Sequence, residues 1–555
     1  PADEPAAPAD EPAAPAEEAA PGEAFINADG EVEYGLPLFE DELLITVWAP
    51  MTQAFQNFLE EYSQIETVKQ LMADTNVELQ FISPASDQKT TQFMTMIAGG
   101  DYPDVLDSVA QLYSTGITGA YDDEVIIDLT DLQAEMAPAY TKMVADLDCA
   151  KDLLDDEGNS YLFAKLMCDG QQLTTGLGAR KDWLEEAGFE DNLTTYDDWH
   201  DYLTYIKTEH NATMWVTSNG QLPYNNLSAG FQTKMHVIST PGSQPPFIVE
   251  NGKVNWGPMK QEEGYAYVKL MNEWWNEGLI YQDFYTHFES NTMPPDGLVT
   301  GDQMGLFGAN NTDIAERYNT VMGDNSEMHL VAAYDPVEKK GDTIHFAQDR
   351  SAEAGGGYCV STACSDLETV ARWADYIYSE EGQILSNYGV EGETFNYDAE
   401  GKPVLGDLIL HNEIMPTMLA ITKYTTFNLV GVEDAYRMYA EFTPEQWESG
   451  EIWSMGDSAY TIPQKVSMTT EESATFAAVY SDINTYVSEH TLSVILGKEN
   501  IDDLWDEYVA NIEAMDIATC IAQEQSALDR YLEQADLAGI DAEMRRIIAD
   551  AFAVK

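Results

Sequence analysis

The sequence has 555 residues, 44% hydrophobic and 11% aromatic, enough apolar material for two or more packed lobes and too much for a disordered chain. Its 98 acidic against 26 basic side chains leave a formal charge of −72, a field that repels phosphate backbones and anionic head groups, so no nucleic acid partner is expected. Five cysteines, Cys149, Cys168, Cys359, Cys364 and Cys520, show no CxxC or paired Cys/His spacing and are odd in number, which signals neither a zinc site nor a disulfide framework.

The chain opens with PADEPAA at 1–7 and again at 8–14, followed by PAEEAAPGEA. Repeated proline blocks helix and strand while the carboxylates repel one another, so 1–40 reads as an extended, solvated tether. No stretch reaches the roughly 20 apolar residues of a spanning helix, and no basic and apolar leader is seen, as expected of a mature secreted protein held off a surface. The apolar run Leu43 to Trp48 predicts a strand, after which Phe55, Phe58, Leu59, Tyr62, Ile65 and Met72 recur at helical spacing. Val77, Leu79 and Phe81 alternate as a second strand, Lys89 to Ala98 is a short helix ended by Gly99 and Gly100, and Asp104-Val105-Leu106 opens a third strand. Such alternation implies a parallel sheet flanked by helices, with a ligand crevice at the carboxyl ends of its strands, where Trp48 and Asp107 fall.

Further along, tight turns predict hairpins at Asp155 to Asn159, Glu250 to Lys253 and Asp398 to Lys402. A helix is expected from Thr195, where Asp198 completes a variant capping box and Trp199, Tyr202 and Ile206 form the apolar face. Another carries Tyr267, Leu270, Met271, Trp274 and Trp275 and stops at Gly278. From Thr475 onward helices dominate, with Phe476, Val479, Tyr480, Ile483 and Val487 on one face, Leu504, Trp505, Tyr508 and Ile512 on a later one, and a helical tail over 526–555.

Catalytic constellations are missing from the sequence: there is no HExxH, no Walker motif, no GxGxxG between strand and helix and no GxSxG elbow, and the eight histidines are scattered. The densest acidic cluster, Asp146, Asp148, Asp152, Asp155, Asp156 and Glu157, lacks EF-hand spacing and reads as a solvated turn, so no metal and no cofactor are expected. With 98 acids some carboxylate pair always meets the spacing of a glycosidase, which makes such a pair uninformative.

Several segments in order, ITVWAP (45–50), AGGDYPDV (98–105), RKDWLEEAG with TTYDDWHDYL (180–203), NEWWNEGLIYQDF (272–284), GDQMGLFG (301–308), and two long stretches over 373–404 and 462–515, resemble the extracellular solute-binding proteins of sugar ABC importers, in the large clostridial lipoprotein branch that includes alginate-binding relatives. The resemblance implies an α/β, two-lobed periplasmic-binding-protein-like fold with a hinge, parallel-type sheets flanked by helices and a helix-rich C-terminal part. It implies a first lobe over 41–165, a second over 166–350, a return to the first over 351–390, and completion of the second with the C-terminal helices over 391–555. Such a protein is a monomer and not an enzyme. It captures an oligosaccharide in the interlobe cleft by hinge closure and delivers it to a membrane permease. It sits at the cell surface as a lipoprotein, although the lipidated cysteine is absent from this chain. A secreted acidic glycoside hydrolase and a cell-surface glycan adhesin are the alternatives. Alginate-binding relatives carry a calcium loop of the DxNxNGxxDE kind where this chain reads KTEHNATMWVTSNGQLP; the alternating carboxylates are gone, so no calcium is expected there.

Sugar pockets combine flat aromatic platforms with planar hydrogen-bonding groups. The expected ligand-binding residues are Trp48 with Gln53; Asp107, whose alternative is a helix cap; Asn310 and Asn311, which also suit a turn; Arg350 and Tyr358, flanking AEAGGGY; and Trp183, which also suits packing. Trp373, Trp447, Trp505 and at least one of Trp274 and Trp275 read as core. The acidic body favours neutral glycans over uronic-acid polymers. Gly355, Gly356 and Gly357 are expected in or beside an interlobe crossing, with an earlier crossing near Phe163 to Gln172, so that closure traps the ligand between Trp48 and Asp107 on one side and Asn310 on the other.

Overall fold

In the computed structural model the chain divides into two units, Pro1–Cys168 with Ala352–Met438 and Leu537–Lys555, and Asp169–Ser351 with Tyr439–Asp536. The structure describes residues 19–533 except 28–29, 52–55, 57, 148, 156–157, 168–174, 190–192, 216–225, 236–245, 287–293, 311–313, 315–327, 347–352, 413, 416, 426–429, 435–436, 438–441 and 464–465. No described helix is long and apolar enough to cross a membrane. Cys149, Cys359 and Cys520 are buried free thiols.

In the first unit β1 (Ala24–Ile26) pairs antiparallel with β2 (Val32–Tyr34). The tether expectation for 1–40 therefore reaches too far. Val32 and Tyr34 are buried, and the Tyr34 hydroxyl donates to the buried Asp375, so this hairpin has a core to join. β3 (Leu43–Trp48), β4 (Val77–Ile82), β5 (Val105–Asp107) and β6 (Phe163–Met167) belong to a six-stranded sheet with β13 (Glu353–Val360) and β16 (Val432–Glu433), in the order β16-β6-β13-β5-β3-β4. Only β13 runs antiparallel to its neighbours. Because β16 pairs with β6, residues 391–438 group with the first unit, where the sequence reading had placed them in the second lobe.

The strands follow from apolar runs and the intervening helices from apolar periodicity. Helix Glu66–Thr75 buries Val68 and Leu71 against Ile45 and Val47 of β3, each such side chain contributing about 1.5–3 kcal/mol. It ends at Asn76, whose φ of 54° is the left-handed conformation that turns the chain into β4. The long apolar helical pattern from Phe55 is interrupted in its described part: Tyr62–Gln64 forms a single 3-10 turn and Ile65 is extended before the helix begins.

All three expected hairpin turns are present. Gly158, Gly252 and Gly401 take φ of 88°, 76° and 83°, and the last two close the β9 (Phe247–Glu250) with β10 (Lys253–Trp256) and the β14 (Phe395–Tyr397) with β15 (Pro403–Leu405) pairs. The Asp155 carboxylate accepts from the Asn159 backbone at 2.8 Å, the Asn159 amide at 3.0 Å and the Tyr161 hydroxyl at 2.6 Å, as in a hydrogen-bonded turn.

The second unit holds the four-stranded sheet β12-β7-β11-β8, built from β7 (Thr175–Arg180), β8 (Thr213–Met214), β11 (Met304–Asn310) and β12 (Leu330–Ala333). β7 is antiparallel to both β11 and β12, while β8 is parallel to β11. Helix Tyr196–His210 starts with a reciprocal box: the Asp198 amide donates to Thr195 Oγ1 at 3.1 Å and the Thr195 amide to Asp198 Oδ2 at 2.9 Å. Its buried face carries Trp199, Tyr202 and Ile206, and joins Met271 and Trp274 of helix Gly264–Asn276 in one core. Helices Thr470–Ile495, Ile501–Ala514 and Ile517–Glu533 add Ile483, Val487, Trp505, Tyr508 and Ile512 to that core. The remainder of the expected tail helix lies outside the described residues.

Candidate functional site

In a mostly parallel sheet, ligand-facing chemistry gathers at the carboxyl ends of the strands. At that edge of the first unit stand Trp48 at the end of β3, Asp107 at the end of β5, and the last residues of β6 and β16. Alternation along the strands splits this set between the two faces of the sheet. Trp48, 2% exposed, packs with Phe93, Leu106 and Cys359, its ring centroid 5.7 Å from that of Phe93. It is a wall of the core rather than an open platform. Asp107 faces the other way, where its charge acts on the Tyr62 and Tyr358 hydroxyls.

Asp107 is partly buried, and burial pushes its carboxyl up to about 6 against the opposing pull of Ser108 hydrogen bonds and of the Lys165 and Lys89 charges. The helix-cap alternative does not describe it, because the residue before helix Val109–Leu112 is Ser108. Ser108 has φ of 64°, a left-handed conformation that non-glycine residues adopt at a cost of about 1–3 kcal/mol.

Beside Asp107 is a set of charges that the sequence reading missed. Lys165 Nζ lies 3.5 Å from Glu433 Oε1, and Arg437 Nη2 lies 3.6 Å from the same oxygen. Arg437 is 1% exposed. Burial lowers the Lys165 ammonium, with Glu433 and Asp107 opposing and Arg437 adding to the fall. Two cations and two carboxylates thus meet where β5, β6 and β16 end, able to bind hydroxyl groups as donors and as acceptors. The available signal was a lysine in the middle of the otherwise apolar FAKLM strand.

Tyr358, expected at the ligand, is a core residue: it is 2% exposed, stacks on Trp373 at 5.8 Å and 12°, and lines an internal cavity with Leu71, Phe81 and Val430. Gly355, Gly356 and Gly357 lie within β13 itself rather than in a loop before it. Pairing of Glu353 with Leu166 and of Gly357 with Ala164 sets four steps of β13 against two of β6, so a bulge falls on the glycine run. Gly357 is required by close approach, since a Cβ there would lie 2.3 Å from the Phe163 carbonyl oxygen. Phe163–Met167 is strand β6 of the first unit, and the chain passes to the second unit between Cys168 and Asp169, within the stretch Phe163 to Gln172 where a crossing was expected. Gln53, Asn311 and Arg350 lie outside the described residues.

In the second unit the corresponding edge carries Asn310, the last residue of β11, paired with Thr175 at the start of β7. The neighbouring Gly176 yields its Cβ position to an indole: a Cβ would stand 2.2 Å from Trp453 Cδ1. Trp453 Nε1 donates to the Leu177 carbonyl at 2.9 Å. Trp215, just after β8, lies 5.8 Å from the Tyr281 ring. Neither tryptophan was singled out from sequence, because neither sits on a strand whose end the pattern reveals. Trp183 lies at the opposite edge, after the carboxyl end of β7. It is 3% exposed, stacked on His210 at 4.3 Å, with the Arg180 guanidinium 4.0 Å above its ring, and so serves packing rather than a ligand. Among the described residues no group of three or more His, Cys, Asp or Glu could hold a metal ion.

No family model matches the chain. It is 21% identical over 509 residues, 84% of this chain and 86% of the relative, to a fructooligosaccharide ABC transporter substrate-binding protein, FusA, from Streptococcus pneumoniae. The structure of FusA with kestose superposes with a TM-score of 0.63 at 18% identity, covering 89% of this chain and 100% of that one. An HMO-binding solute-binding protein of an ABC transporter from Bifidobacterium longum infantis gives 0.69 at 17% identity, over 88% and 99% of the two chains. The alginate-binding protein AlgQ2 without calcium ion gives 0.63 at 19%, again over 88% and 99%. The chain has the solute-binding-protein fold. The agreement runs through nearly the whole length of each protein, so both units belong to the solute-binding-protein architecture and neither is an appended domain. Asp107, Lys165 and Glu433 in one unit and Asn310 in the other stand at or near the ends of their strands.

Proposed function

We propose that this chain is the substrate-binding component of an ABC importer, which captures an oligosaccharide and delivers it to a membrane permease without breaking a bond. The observation that carries this reading is the full-length match to substrate-binding proteins named for fructooligosaccharide, HMO and alginate. The ligand is a neutral glycan: a chain at −72 repels polyanions at low salt, and screening over about 10 Å leaves that preference to local cations only. Asp107 and the Glu433-paired Lys165, both partly exposed, bind it in the first unit and Asn310 in the second, with Gln53, Asn311 and Arg350 as further contacts on the sequence argument. Closure turns on the stretch beside Ser351 and Ala352, where the chain returns to the first unit and enters the bulged β13. The protein acts as a monomer outside the cell, held at the surface through the acidic Pro/Ala tether.

Calorimetry of the full chain against kestose, HMO and alginate oligosaccharides tests the reading. Tight binding of a neutral member is the expected result. Absence of binding to every carbohydrate, together with tight binding of a peptide, would overturn it. Chromatography after long incubation should show the bound glycan at unchanged length; shortened products would favour the hydrolase.

A further inference from the structure

The second unit carries a withdrawn cation that the strand-end site does not use. Thr233 and Met235 are buried, the Met235 amide donates to Ser228 Oγ at 3.3 Å, and Gly257 approaches so closely that a Cβ there would lie 2.1 Å from the Lys234 carbonyl oxygen. The backbone of Lys234 is therefore fixed from both sides. Its side chain is partly buried, and burial pushes the ammonium down to about 8. Nζ stands over the Phe346 ring, 5.5 Å from its centroid.

Around that ring the chain has assembled a small aromatic group. Phe346 packs on Ala229, Val337 and Ile344 and meets Tyr460 at 5.8 Å, edge to face. Tyr460 in turn lies 4.7 Å from His345, and its segment is anchored by the Tyr460 amide donating to the His345 carbonyl at 3.0 Å and by the contact of His345 Nδ1 with Asp457 at 2.7 Å. Phe346, Tyr460 and His345 are each partly exposed.

Of the other partly buried lysines among the described residues, Lys142 has Glu31 and Asp146, Lys165 has Glu433, Lys260 has Glu250 and Glu263, and Lys269 has Asp502, while Lys89 and Lys423 have no ion pair and only Lys234 has its ammonium pushed down by burial without one. Lys234 has neither an ion pair nor a hydrogen-bond acceptor among the described residues, although 98 acids were available to supply one. An ammonium drawn out of water without an acceptor costs stability, and packing on Phe346 alone would be served better by methionine or leucine. The missing partner is an oxygen that arrives with the ligand. We propose that Lys234, Phe346 and Tyr460 form a sugar subsite carried wholly by the second unit, in which the rings take the apolar face of a glycosyl residue and the lysine donates to one of its hydroxyl oxygens. This rests on the oligosaccharide reading above and adds to it the residues that hold one ring of the glycan.

The test is calorimetry of the full chain with kestose and with HMO, comparing wild type with Lys234→Met, Lys234→Arg, Phe346→Ala and, as a control, Lys142→Met. Lys234→Met should weaken binding of whichever sugar the wild type takes by about tenfold, as expected for one charged hydrogen bond, while its melting temperature stays level or rises. Lys234→Arg should keep more of the affinity, Phe346→Ala should lose at least as much as Lys234→Met, and Lys142→Met should bind as wild type does. Should Phe346→Ala fail to fold, Lys234→Met decides alone. Unchanged or tighter binding by Lys234→Met overturns the subsite and leaves the oligosaccharide reading standing. A wild-type chain that binds neither sugar, nor any other glycan, overturns both.

Discussion

Replacing Gly357 by alanine puts a methyl group 2.3 Å from the Phe163 carbonyl oxygen, 2.7 Å from Leu162 Cδ1 and 2.9 Å from Ala164 Cα. Ordinary contact begins at 3.4 Å, and two of these atoms are backbone of the paired strand β6, which cannot swing aside as the end of a side chain does. The strands must part by roughly 1 Å at the Gly357 and Ala164 pair, in the middle of the six-stranded sheet. Overpacking of this kind costs about 1–3 kcal/mol, and a weakened ladder hydrogen bond adds about 1 kcal/mol, so we expect a loss of about 3 kcal/mol. Gly356 is the internal control, because a Cβ there meets only Gln111 Nε2 at 3.7 Å. Gly356→Ala should stay within about 0.5 kcal/mol of wild type. Urea unfolding followed by tryptophan fluorescence reads the difference, with Trp48 and Trp373 buried in the first unit as reporters. Equal midpoints for the two variants would refute the close-approach argument.

Three further outcomes are expected. Burial pushes the Glu524 carboxyl from its ordinary 4.5 up to about 7, so its contribution is fully present below about pH 4.5 and lost as pH rises through 7. Melting temperature should therefore climb on acidification from pH 8 to 5, and Glu524→Gln should flatten the climb by about 1 kcal/mol after solvent screening; an unchanged slope would count against it. Thr195→Ala removes the Oγ1 that accepts from the Asp198 amide, one half of the capping box on helix Tyr196–His210, and should cost about 1 kcal/mol in thermal unfolding, whereas Thr208→Ala on the exposed face of the same helix should cost far less. Gly356→Pro should weaken glycan binding and reduce ligand-induced compaction in small-angle scattering more than Gly401→Pro does; equal effects would remove the hinge role from β13.

What the sequence made legible is local in physical origin. A two-residue period announces β4, a 3.6-residue period with a cap announces helix Tyr196–His210, and glycine after acidic or amide residues announces the turns at Gly158, Gly252 and Gly401. The errors at the candidate site come from one geometric fact that such periods do not carry. Trp48 and Asp107 both end strands, yet alternation and strand order turn the indole into the Phe93 cluster and the carboxylate towards Lys165. Tyr358 shares that fate. Next to a glycine run it looked accessible, but the antiparallel insertion of β13 between β5 and β6 closes the sheet over it. Residues 391–438 were misassigned for a similar reason, because the two-residue strand β16 is too short to leave a pattern and its partner β6 lies far earlier in the chain.

Charge behaves differently, and the scarce sign carries the positional information. With 98 acids any acidic side chain has acidic neighbours by composition alone, so clusters such as Asp146 to Glu157 say little about chemistry. The 26 cations are few enough that each withdrawn one needs a reason, and a desolvated ammonium must be balanced by a carboxylate or by something that binds. Lys165 lies inside the FAKLM strand and was marked in the sequence as a cation in apolar surroundings, whereas Lys234 stands in the polar run FQTKMH and only the structure shows its neighbours Thr233 and Met235 to be buried. Their partners were not marked, since Glu433 reaches Lys165 only through the pairing of β16 with β6, and Phe346 reaches Lys234 only through the packing around Val337 and Ile344. In a chain this acidic, a search for the ligand site therefore gains most by starting from the buried lysines and arginines and asking which of them the fold leaves without an acid.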